Sequence, residues 1–113
     1  MLSERHLDRR VLQELVNYYF SIGSSNLTFD VDMKQGDLKI RARGNVLDPA
    51  LIDLEDLRAK LNNGRKAEVE GYYAELIGNL AHTADVVLLG DLIDYADVDL
   101  RDNVLHISLY REL

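Results

Sequence analysis

Twice along this chain the spacing of apolar residues switches from a helical period to a strand period, and that double switch restricts the fold more than any single motif does. Leu7, Val11, Leu12, Leu15, Val16, Tyr19 and Ile22 recur at spacings of three, four and one, with Arg9, Arg10, Gln13, Glu14 and Asn17 opposite. This predicts an amphipathic helix over 4–22, closed by the turn residues Gly23, Ser24, Ser25 and Asn26. From Leu27 the period becomes two. Leu27, Phe29, Val31 and Met33 alternate with Thr28, Asp30 and Asp32. Beyond Gly36, Leu38, Ile40 and Ala42 alternate with Lys39, Arg41 and Arg43. Such alternation around a glycine-containing turn predicts a hairpin with one wet and one buried face. Aspartates on one strand then face basic residues on the other, a favourable cross-strand arrangement.

The pattern returns near the C-terminus. Ala96, Val98 and Leu100 alternate with Asp97, Asp99 and Arg101, and Leu105, Ile107 and Leu109 with His106, Ser108 and Tyr110. This predicts a second hairpin. Between the two, Asp48 and Pro49 suit the N-cap and first position of a helix carrying Leu51, Leu54, Leu57 or Arg58, and Leu61, with Asn63-Gly64 as its stop. Val69, Tyr72, Tyr73, Leu76, Ile77 and Leu80 mark a further helix from about Ala67. Residues 84–93 fit a continued helix, a buried strand or a folded loop. The order is α-β-β-α-α-β-β. It predicts an α+β, two-layer sandwich with the helices on one face of a mixed or antiparallel sheet. The expected core includes Leu15, Leu54, Leu57, Tyr73 and Ile77. At 113 residues, 1–113 reads as one domain.

The two hairpins echo each other. Asp30-Val31-Asp32 and Leu38-Lys39-Ile40 stand at the same offsets as Asp97-Val98-Asp99 and Leu105-His106-Ile107, and each hairpin follows a Tyr-Tyr pair, Tyr18-Tyr19 or Tyr72-Tyr73. A duplicated αββ unit gives this, and so does common strand patterning.

Charge narrows the function classes. Thirteen Lys plus Arg against twenty Asp plus Glu give a net charge of −7 with no basic cluster, which argues against nucleic acid and anionic membranes. No uncharged run approaches the ~18 residues of a membrane span, and the charged N-terminal segment lacks a signal-peptide core, so a soluble cytoplasmic protein is expected. Without cysteine there is no disulfide, thiolate zinc site or cysteine nucleophile. His6, His82 and His106 lie in no metal-binding spacing, and the acidic C-terminal third has no calcium-loop pattern, so no metal site is expected. Serine-hydrolase elbows and P-loops are absent. Tyr18, Tyr19 and Phe20 are too many adjacent aromatics for one buried stripe. At least one must leave the core and supply apolar surface, so a protein partner or homodimer is expected to dock through this helical surface, with 86–93 adding to it, rather than through the sheet, whose outer strand faces are charged.

The segment from Glu14 to Val46 resembles the start of the ATP-binding domain of sensor histidine kinases, in which a helix bearing Glu-x-x-x-Asn precedes two strands that end in Asp-x-Gly-x-Gly. Asp48 to Leu57 resembles the short helix that follows, Gly71 to Ile77 the start of the next helix, and the C-terminal hairpin the closing strands. The resemblance implies a two-component signalling domain, with ATP and Mg2+ as its ligands where the motifs hold. Glu14 falls on the family's catalytic glutamate. Tyr18 falls on the magnesium-binding Asn, with Asn17 one residue away. Gly44, followed by Asn45, falls on the adenine-reading Asp, and the glycine-rich lid shrinks to Asn62-Asn63-Gly64 and Gly71. Without the Asp carboxylate the adenine amino group has no acceptor, and discrimination by such groups is steep. The resemblance therefore implies a kinase-like fold with lost or altered nucleotide binding and degenerate catalysis. The alternative is a small, non-catalytic interaction or dimerisation domain unrelated to kinases.

Overall fold

The computed structural model describes residues 2–66 and 86–112, with the side chains of 2–6 left aside. Helix α1 (Leu2–Ser21) lies on a four-stranded antiparallel sheet made of β1 (Leu27–Asp32), β2 (Leu38–Asn45), β3 (Tyr95–Arg101) and β4 (Val104–Arg111). Helices α2 (Leu54–Leu61) and α3 (Val86–Asp91) are the other described α-helices. The strand order is β1-β2-β4-β3, so the two predicted hairpins join through their second strands, with Ile40 opposite Leu109 and Ala42 opposite Ile107. The α+β sandwich expected from the double period switch is therefore present, with a wholly antiparallel sheet.

Alternation decides which face is buried. Leu38, Ile40 and Ala42 on β2, Leu105, Ile107 and Leu109 on β4, and Ala96 and Val98 on β3 all point inward and are buried. Leu7, Val11, Leu15 and Tyr19, spaced four apart on α1, meet them together with Leu57 and Leu61 of α2. Leu89, Leu92 and Ile93 are also buried. The segment 86–93 is thus a short helix (Val86–Asp91) and a turn that feed the core, not surplus surface, although Val87 is exposed. Gly90 has no side chain because the Lys60 carbonyl of α2 occupies that space.

The helix expected from Asp48 divides in two. Asp48 does cap, accepting from the Ala50 amide at 3.2 Å, but only a 3-10 turn (Pro49–Leu51) follows, and Leu51 is exposed. Asp53 then caps again through the Asp56 amide at 3.0 Å, and α2 starts at Leu54. Two acceptor side chains five residues apart offer two starts, and the second carries the buried residues. Leu15 and Leu57 are core as expected; Leu54 is half-buried against it. Tyr73, Ile77 and the helix expected from Ala67 lie outside the described residues.

The hairpins share one register. Val31 faces Ile40 and Val98 faces Ile107, at the offsets of the sequence echo. They differ in their turns. Asp102 and Asn103 both take positive φ, 54° and 62°, the backbone twist that a two-residue hairpin turn needs. The first hairpin instead passes through a 3-10 turn at Lys34–Gly36.

Candidate functional site

The positions singled out for nucleotide chemistry cluster around the C-terminal half of α1 and the end of β2. Gly44 continues the inward column of β2. A Cβ there would sit 2.7 Å from both the Tyr19 ring and the Leu27 side chain, so the glycine exists to admit Tyr19. The Tyr19 hydroxyl donates to the Leu105 carbonyl at 2.8 Å, and its ring meets Phe29 edge-on at 5.9 Å and Tyr18 at 6.0 Å. Burial, more than the neighbouring Tyr18, holds the Tyr19 phenol well above its usual range, and burial raises Tyr18 as well. Both are neutral hydrogen-bonding groups at ordinary pH.

Asn45 ties down the turn after α1. Its Oδ1 accepts from the amides of Ser25 and Asn26, both at 2.8 Å, its Nδ2 donates to Ser25 Oγ at 3.1 Å, and its carbonyl accepts from Ser24 Oγ at 2.6 Å. Glu14 is buried, with Oε2 3.6 Å from Arg10 Nη1 one turn earlier. Asn17 is half-buried, and its buried Nδ2 has no hydrogen-bond partner among the described residues. Tyr18 is half-buried against the core. Gly71 lies outside the described residues. The hollow of about 520 Å³ that Gly44 and Asn45 do line opens on the outer face of the sheet, beside Arg43 and His106 and away from α1.

That outer face carries ordered charge. Lys39, Arg41 and Arg43 form a column on β2, flanked by Asp30 and Asp32 on β1 and, across β4, by Asp97 and Asp99 on β3. The register sets Asp32 opposite Lys39, yet its carboxylate lies 3.9 Å from Lys34; Asp99 similarly takes Arg101, at 2.6 Å. His106 is half-exposed in this face. Among the described residues no group of His, Asp and Glu is arranged to hold a metal ion.

Asn62 and Arg58 finish one edge of the sheet in a role the sequence did not signal. Asn62, at the C-cap of α2, accepts from the Ala96 amide and donates to the Ala96 carbonyl, both at 2.9 Å, as a neighbouring strand would. Arg58 Nη2 donates to the Val98 carbonyl at 3.0 Å. In the sequence Asn63-Gly64 signalled a helix stop and the resemblance made Asn62-Asn63-Gly64 the remnant of a lid; neither reading anticipates a bond to the sheet edge. Arg111 was also missed. It is buried, donates to the Leu92 carbonyl at 2.7 Å and lies 3.6 Å from Asp8 of α1. By contrast, Phe20 (63% exposed), Leu47 (74%) and Leu51 (80%) leave apolar surface on α1 and in the segment after β2, as the aromatic crowding on α1 predicts for one of its three rings.

The chain matches no protein-family model, and no curated protein matches it either. Among the described residues no helix is long and apolar enough to cross a membrane.

Proposed function

We propose that this is a cytoplasmic signal-transduction domain built on the plan of the histidine-kinase ATP-binding domain, which has given up nucleotide chemistry and acts by binding a protein partner. The observation that carries this reading is the use made of the motif positions. Gly44 has no carboxylate and is closed off by Tyr19. Asn45 is committed to Ser25 and Asn26. Glu14 is buried beside Arg10, so it offers no open carboxylate to a phosphate. Phosphoryl transfer depends on positioned magnesium and phosphate, and these residues are engaged in holding the fold. Exposed Phe20, Leu47 and Leu51 supply the apolar surface that partner binding needs.

Calorimetry with ATP and magnesium tests the reading. It expects no saturable heat up to millimolar nucleotide and no turnover. Micromolar binding with measurable phosphate release would restore the enzymatic alternative.

A further inference from the structure

A four-stranded open sheet has two edges, and here they are finished in opposite ways. The β3 edge is closed by Asn62 and Arg58, which bond the outward backbone groups of Ala96 and Val98. The other edge is β1, paired with β2 on one side alone. Among the described residues, no side chain or backbone group bonds its outward N–H and C=O groups. An open edge is a template for another strand, and proteins usually blunt it with charged side chains, lysine above all, or with proline or a bulge; the charges of β1 are Asp30 and Asp32, which repel an acidic strand and attract a basic one. Leu27–Asp32 contains no proline, lysine or bulge.

The inner face of β1 is also the least covered of the four. Inward residues of β2, β3 and β4 are mostly buried, whereas Leu27 and Phe29 are half-buried and Val31 is 40% exposed. Val31 and Met33 join Leu12 and Leu38, with Asp8 and Arg9 of α1 beside them, in a largely apolar groove of about 240 Å³ between α1 and this edge. On the outer face, β1 presents Asp30 and Asp32. An added strand would therefore meet apolar residues at one set of alternate positions and carboxylates at the other. The β2 strand presents that pattern by register, with Ile40 and Ala42 opposite Val31 and Phe29, and Lys39 and Arg41 opposite Asp32 and Asp30, although the Asp32 carboxylate itself turns to Lys34.

We propose that β1 is a docking edge for an extended segment of a protein partner in which lysine or arginine alternates with aliphatic residues. Such a segment adds as a fifth strand beside β1, its basic residues beside Asp30 and Asp32 and its aliphatic residues over Phe29 and Val31. Charge decides against a second copy as the occupant. The chain carries a net −7, and pairing β1 with itself brings two pairs of aspartates onto one face. The inference rests on the reading of the domain as a partner-binding module and adds to the apolar surface of Phe20, Leu47 and Leu51 a second contact, at the sheet edge and not on the helical surface that the sequence favours.

The test is an NMR titration of the whole chain with a synthetic octapeptide alternating lysine or arginine with valine or isoleucine. An acidic octapeptide of the same apolar residues and ATP with magnesium form parallel arms. The proposal expects saturable shifts confined to β1, Leu12 and Met33 with the basic peptide, none with the acidic one, and slowed exchange of the outward β1 amides. The double variant Asp30→Asn, Asp32→Asn keeps the local hydrogen-bonding shape and should weaken binding about fivefold or more. Shifts at β3, equal response to both peptides, or no loss in the double variant would overturn it. So would light scattering that shows a dimer broken by Asp30→Lys, since the edge would then hold a second copy. No response to either peptide, with ATP also silent, defeats the edge proposal alone, whereas ATP binding defeats the functional reading beneath it.

Discussion

The β1–β2 and β3–β4 hairpins pair in one register and face the same helical layer, but they are closed differently at equivalent points. The β3 edge is bonded by Asn62 and Arg58, while β1 has no such cover among the described residues. At the end of their second strands the contrast repeats. Gly44 on β2 has no side chain and is filled from α1 by Tyr19, whereas Arg111, the equivalent residue of β4, reaches to Leu92 and Asp8. Alike strand patterns thus end as unlike surfaces, because what closes a strand comes from elsewhere in the chain.

Removing the closing groups should rank them. Arg111→Ala is expected to cost the most, about 3–5 kcal/mol, because it strips a buried cation from Asp8 and leaves the Leu92 carbonyl without its donor. Urea denaturation measures it, and a loss below that of the glycine variant would reverse the ranking. Gly44→Ala follows at about 2 kcal/mol, since the new Cβ must displace the Tyr19 ring and Leu27 together. A shifted Tyr19 should also register as changed Leu105 amide chemical shifts. Asn62→Ala leaves both backbone groups of Ala96 without their partner and is expected to cost about 1–2 kcal/mol. Its sharper signature is local, because exchange at Ala96 should accelerate more than at Val31.

Tyr19→Phe is the mildest change. Loss of the bond to Leu105 costs about 1 kcal/mol at neutral pH. Its alkaline behaviour distinguishes it. Tyr19 in the folded chain is held above the phenol's ordinary value of about 10, so above that pH the unfolded chain releases a proton that the folded chain keeps. Stability from this group is whole below pH 10 and falls as pH rises beyond it. Denaturation midpoints from pH 8 to 11 should therefore drop less steeply in the phenylalanine variant.

The local half of this architecture was legible in the sequence. Period alone located α1 and both hairpins, since strand alternation and helical spacing are properties of neighbouring residues. The union of β2 with β4 was not, because it joins residues some seventy positions apart and either strand of each hairpin could have been central. The restart at Asp53 was missed because Asp48-Pro49 is an equally good local signal, and only the burial of Leu57 and Leu61 selects the second start. Among the site residues, the spacing of Arg10 and Glu14 was a readable cue that the glutamate has an ion-pair partner within α1. The fates of Gly44 and Asn62 had no such cue, since each depends on a long-range neighbour, Tyr19 or Ala96.

The difference between the two edges is tested most directly by native-state amide exchange read residue by residue at neutral pH. Ala96 is expected to be protected at least about 1,000-fold, because its N–H is held by Asn62, while alternate amides of Leu27–Asp32 exchange close to the rate of free peptide. Protection of every β1 amide to the level of Ala96 would mean that the edge is already covered, and would contradict that difference.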